Sequence, residues 1–140
     1  MKKSILTIDG SNSISYLMNT VLGQEYSVTS VNTCKDAINY LQTDHNKDLI
    51  ILDIADVKSE NIDLLEHFYT SSIFKNIKTV VISNSDDATL RKKTVELGAS
   101  LFFTKPFDPI QLSQMLKEIL SENEFSLVKK RKNRLNMNIF

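Results

Sequence analysis

The sequence predicts an α/β fold, a doubly wound parallel sheet of five strands with five helices on its two faces. Three observations carry that reading. Five short apolar runs of strand length recur along the chain, segments with one-sided helical periodicity lie between them, and one of the runs is apolar throughout. Strand and helix alternating five times leave few topologies once crossovers are right-handed.

The first run, Ile5 to Ile8, has the length of a strand. Ile14, Leu17, Met18, Val21 and Leu22 then recur at helical spacing, and Gly23 sits where a C-terminal cap belongs. Tyr26-Ser27-Val28-Thr29-Ser30-Val31 alternates in polarity, as suits an edge strand. Thr33 with Asp36 makes a loose capping-box start for a second helix. The run Asp48-Leu49-Ile50-Ile51-Leu52-Asp53 is apolar inside acidic ends, the pattern of a central strand covered on both sides. A third helix is expected near Asn61 to Ser72 and a fourth near Asp87 to Leu97, capped by Asn61 and Asp86, with the strand Thr79 to Ile82 between them. Gly98 closes the fourth helix. In the last strand, Leu101 to Phe103, the adjacent Phe102 and Phe103 must face opposite sides of the sheet. Leu112, Met115, Leu116, Ile119 and Leu120 form the stripe of a final helix.

The chain has 140 residues, 41% of them hydrophobic, which suits one domain over residues 1–122 followed by a basic extension over 123–140. Formal charge is +0, but Lys129, Lys130, Arg131, Lys132 and Arg134 carry five of the 17 positive charges. Residues 1–128 thus hold 12 positive charges against 17 negative, a net of −5. An acidic body argues against binding of nucleic-acid phosphates by the domain itself. The basic run reads as a solvated extension. No apolar run approaches the ~20 residues of a membrane span, so a cytoplasmic protein without membrane contact is expected. Cys34 stands alone and reads as a small buried hydrophobe, while His45 and His67 have no companion at zinc-ligand spacing and read as solvated.

The residues that terminate the strands carry the chemistry. Asp9 ends the first, Asp53 the third and Ser83 the fourth, and Lys105 follows the fifth. The carboxyl ends of the strands in such a sheet form the crevice where ligands bind. Two carboxylates, a hydroxyl and an ammonium there suit a phosphoryl group held beside a divalent cation. Asp53 can act as nucleophile to give an acyl phosphate. Asp9 and Asp53 are hard oxygen ligands for Mg²⁺. Lys105 offers a point charge to phosphoryl oxygens and Ser83 a hydrogen bond.

At these positions the sequence resembles the response-regulator receiver family over roughly residues 3–121. Ile5-Leu6-Thr7-Ile8-Asp9 is similar to the family's first strand, Asp48 to Asp53 to its phosphoacceptor strand, and Val80-Val81-Ile82-Ser83 to the strand that ends in the switch hydroxyl. Gly98-Ala99, followed by Phe103-Thr104-Lys105-Pro106-Phe107, is similar to its late signature. The resemblance implies a flavodoxin-like sheet of order 2-1-3-4-5. It makes Asp53 the phosphoacceptor, with Ser83 and Lys105 as its active partners and Phe102 as the aromatic residue that follows the switch hydroxyl. Asp9, Asp53 and the backbone carbonyl of Ala55 become the Mg²⁺ ligands, and Lys105-Pro106 a candidate cis peptide bond. The implied partners are a histidine kinase or phosphotransfer protein and a downstream protein. A homodimer through the fourth helix, fifth strand and fifth helix is a further candidate contact. Catalysis would not extend beyond the domain's own phosphorylation and dephosphorylation.

The sequence departs from the family at several points. Gly10 stands where a second acid usually follows Asp9, which weakens the expected Mg²⁺ binding, and Asp56 is a candidate to compensate from the loop. Val57 and Asn61 replace a proline and a glycine after the acceptor, and Asn84 replaces a small residue after Ser83. Ala55 and Ser85 offer little to position a hydrolytic water, so a long-lived phosphoryl group is expected. The alternative to a phosphorylation switch is a pseudo-receiver, a constitutive interaction module that kept the fold without the chemistry.

Overall fold

The computed structural model describes residues 2–9 and 12–121, the side chains at positions 12–15 and 17 excepted. Within these bounds the chain forms β1 (Lys3–Ile8), α1 (Asn12–Leu22), β2 (Tyr26–Val31), α2 (Cys34–Thr43), β3 (Leu49–Asp53), α3 (Glu60–Thr70), β4 (Lys78–Ser83), α4 (Ala88–Glu96), β5 (Leu101–Thr104) and α5 (Pro109–Ser121). Gly10, the side chains of Ile14 and Leu17, and the expected basic extension at 123–140 lie outside the described residues.

All four strand pairings are parallel, in the order β2-β1-β3-β4-β5. The reversal of direction between β1 and β3 follows from that order: the chain winds one way to β2 and the other way through β3, β4 and β5. Alternation along the strands sorts the core into two layers, because successive side chains leave a strand on opposite faces. Leu6, Ile8, Ile50, Leu52, Val81 and Phe102 meet Leu41, Ile62, Leu65, Phe68 and Leu90 on the face covered by α2, α3 and α4. Ile5, Leu49, Ile51, Val80, Ile82 and Leu101 meet Met18, Leu22, Leu112, Leu116 and Ile119 on the face covered by α1 and α5. The continuously apolar β3 is the strand buried on both sides, as its composition requires. Phe102 belongs to the first layer and Phe103 packs against the second.

Local chemistry fixes the helix ends. Thr33 caps α2 by accepting from the N–H of Asp36 at 3.1 Å. Two expected caps shift. The cap of α3 is Ser59, whose hydroxyl accepts from the N–H of Asn61 at 3.2 Å, so Asn61 sits in the first turn and its side chain is turned to another use. The cap of α4 is Asp87, which accepts from the N–H of Thr89 at 3.0 Å, while Asp86 is drawn away to the guanidinium of Arg91. In each case two cap-competent residues stand close together, and a tertiary partner takes one of them. Gly98 ends α4 with φ of 85°, the left-handed region open to glycine. Gly23 keeps an ordinary φ and simply extends α1 by donating to the Asn19 carbonyl at 2.8 Å. Among the described residues, no helix is long and apolar enough to cross a membrane.

Candidate functional site

The sheet delivers the four expected side chains to its carboxyl edge. Asp53 is the last residue of β3 and pairs with Ile82, Ser83 is one step further along β4 and pairs with Thr104, and Lys105 comes directly after β5. Lys105 Nζ donates to Asp53 Oδ2 at 2.8 Å, with the two side chains 14% and 21% exposed. That partial burial makes the pair more than a screened surface contact. The backbone locks the same neighbours together, since the Lys105 N–H donates to the Ser83 carbonyl at 2.7 Å. The Lys105–Pro106 peptide bond is cis.

Ser83 is fully buried, and its hydroxyl oxygen accepts from the N–H of Ser85 at 3.1 Å. A hydroxyl that accepts in this way keeps its own proton for donation. Asp9 is buried at 3% exposure, and its N–H donates to the Val31 carbonyl at 3.1 Å, which ties the end of β1 to β2. Asp56 does not join the cluster: it is exposed, and its Oδ1 accepts from the N–H of Lys58 at 2.8 Å within its own loop. Asn84 is exposed, as is Ala55.

Three residues at the site have roles that sequence reasoning missed. Asn61 donates through Nδ2 to the Asp53 carbonyl at 2.6 Å, and Cys34 donates through its thiol to Asn61 Oδ1 at 2.7 Å. Cys34 is thus half-buried and hydrogen-bonded rather than a plain apolar residue. Burial, and then the nearby Glu60 and Asp63, push its thiol pKa up, so the proton that makes this bond stays in place. Arg91 lies over the ring of Phe102 at 4.6 Å and pairs with Asp86, and this pairing holds the Asp86 carboxyl below its ordinary range. Only the departure at Asn61 was visible in the sequence; nothing in it pointed at Arg91 or at Cys34.

The donor set fits Mg²⁺, which is satisfied by one or two carboxylates with water and phosphate oxygens rather than by a full protein cage. Asp9 and Asp53 are such carboxylates at one sheet edge. Among the described residues there is no group of three or more His, Cys, Asp or Glu side chains gathered for a metal.

Comparison with known proteins agrees with this fold. Residues 5–117 match the response regulator receiver domain family. The chain is 28% identical over 117 residues to the two-component response regulator ORR3 of Oryza sativa, covering 83% of this chain and 89% of the relative. It is also 28% identical over 127 residues to the alkaline phosphatase synthesis transcriptional regulatory protein PhoP of Bacillus subtilis, covering 90% of this chain and 52% of that protein. Its fold superimposes on a CheY-like response regulator receiver domain protein from Methanospirillum hungatei with a TM-score of 0.77 at 21% identity, covering 93% and 99% of the two chains. A response regulator from Thermotoga maritima gives 0.76 at 22% identity, covering 87% and 100%.

Fold and site together define a signalling module of the α/β class. The chain belongs to the response regulator receiver domain family of two-component systems.

Proposed function

We propose that Asp53 is the phosphoacceptor of this receiver domain and takes its phosphoryl group from a phosphohistidine on a histidine kinase or phosphotransfer protein. The observation that carries this reading is the half-buried contact between Lys105 and Asp53 at the carboxyl edge of the sheet. A nucleophilic carboxylate at the end of one strand and an ammonium just past the end of another are the two groups that phosphoryl transfer needs closest together.

In the transfer, an Asp53 carboxylate oxygen bonds to phosphorus as the P–N bond to the donor ring breaks, and the ring, already protonated on its other nitrogen, leaves as neutral imidazole. Lys105 balances the charge of Asp53 before the reaction and that of the phosphoryl oxygens after it. The Ser83 hydroxyl, which accepts from Ser85 at rest, has a proton to donate to a phosphoryl oxygen. Asp9, Asp53 and the backbone carbonyl of Ala55 would hold Mg²⁺, which when bound neutralises charge on the phosphoryl oxygens. With Gly10 in place of a second acid, that binding is weak.

Movement of Ser83 toward the phosphoryl group would shift the loop through Ser85 and Asp86. Arg91 and Phe102 are coupled to that loop through the Asp86 ion pair and the stacked ring. A charge change at Asp53 thereby biases the α4–β5–α5 face, where a downstream protein or a second copy of the chain would read it. Incubation with Mg²⁺ and acetyl phosphate, followed by intact-protein mass measurement, tests the reading. The wild type should gain one phosphoryl group and Asp53→Asn none, with both folded by circular dichroism. A wild type that stays unmodified at saturating Mg²⁺ would refute it.

A further inference from the structure

We infer that Asn61 is a positioning residue for the phosphoacceptor and that the Cys34 thiol holds Asn61 in that role, an inference that rests on Asp53 being the acceptor. The peptide unit between Asp53 and Ile54 is gripped at both ends. Its carbonyl accepts from Asn61 Nδ2 at 2.6 Å, and its N–H donates to the Ile82 carbonyl at 2.9 Å. One grip comes from α3 and the other from β4. The pairing of β1 with β3 ends at Ile8 opposite Leu52, so Asp53 lies one residue past that ladder, where the sheet no longer fixes its carbonyl from that side. With the peptide plane held, the direction in which Asp53 presents its carboxylate to Lys105 is held as well.

The chemistry leaves one arrangement for the Asn61 amide. A carbonyl only accepts, so the amide nitrogen must face Asp53 and the amide oxygen must face Cys34. The thiol is therefore the donor at 2.7 Å. Burial and the neighbouring carboxylates of Glu60 and Asp63 keep the proton on sulfur. Ser59 occupies the Asn61 N–H at 3.2 Å, which fixes the backbone from which the side chain reaches. Elements α2, α3, β3 and β4 thus converge on one peptide plane behind the nucleophile.

Asn61→Asp is the sharpest probe, because it keeps shape, suits the first turn of a helix, and sets an acceptor against an acceptor. Its uptake rate from acetyl phosphate at saturating Mg²⁺ should fall about tenfold, as should that of Asn61→Ala, in line with the cost of a slightly misplaced reacting group. Hydrogen exchange at the Ile54 amide should accelerate in both. Cys34→Ala should lose part of the rate, and Cys34→Ser, which restores a donor, should recover most of that loss. Ile119→Ala, in the core layer on the opposite face, lowers Tm without touching this plane and should keep the wild-type rate. Wild-type rates in both Asn61 variants, or an equal slowing in Ile119→Ala, would overturn the role of Asn61 alone. A wild type that takes up no phosphoryl group would remove the acceptor reading and this inference with it.

Discussion

Asp53, Lys105 and Ser83 occupy the places their order in the sequence implies, because each lies at or just past the end of a strand and parallel strands bring those ends to one edge. Such strand-end residues are legible from sequence. The contacts of Asn61 and Cys34 are not, since they join positions 27 residues apart whose side chains carry no periodic signal. The surroundings of Asp53 also bear on how long a phosphoryl group lasts. Ala55 ends in a methyl group and offers no polar group to water, and Ser85 is a small hydroxyl that accepts from the N–H of Asp87 at 3.2 Å. The acyl phosphate should persist for minutes or longer after the donor is removed, and decay within seconds in a phosphate-release assay would contradict this.

Cys34 gives the molecule an alkaline limit. Its pKa in the fold is raised above the ordinary 9.0, by burial first and then by Glu60 and Asp63. The unfolded chain therefore loses this proton at lower pH than the folded one. Stability from the thiol is fully present below the unfolded value and is lost as pH rises toward the folded one. Urea denaturation between roughly pH 8 and 10 should show a steeper loss for the wild type than for Cys34→Ser. Tyr26, whose pKa burial also raises, contributes equally to both proteins. Identical slopes would show that the thiol is not held protonated by the fold.

Among the elements, strands were the more legible because β3 and β2 differ in pattern as a central and an edge strand must. Helix starts were harder. Ser59 and Asn61, and likewise Asp86 and Asp87, are both able to cap, and the choice falls to partners elsewhere in the chain: Asp53 takes Asn61, and Arg91 takes Asp86. The end of α4 was readable, because Gly98 is the residue type that its φ of 85° demands. A Cβ there would lie 2.6 Å from the Tyr69 ring. That ring is exposed and can swing aside, but the backbone cannot relax. Gly98→Ala should therefore destabilise the domain by about 1–3 kcal/mol, seen as a lowered Tm. An unchanged Tm would mean that the turn tolerates an ordinary side chain.

Across the whole molecule, alternation along five strands sorts the apolar residues into two layers and leaves the polar residues at the strand ends. The same geometry that makes the core gathers the strand-end residues, so the class of fold and the candidate site could be read together. The contacts behind the proposed coupling from the site to the α4–β5 face could not. They join Asp86, Arg91 and Phe102 and depend on how α4 lies against the sheet. The most direct test of the account is to trap the product chemically. After incubation with acetyl phosphate and Mg²⁺, borohydride reduction converts an aspartyl phosphate to homoserine, and peptide mass spectrometry locates it. Homoserine at position 53, and none there in the absence of phosphodonor, is the predicted result. Homoserine at another carboxylate, or at none, would contradict the assignment of Asp53 and the site built around it.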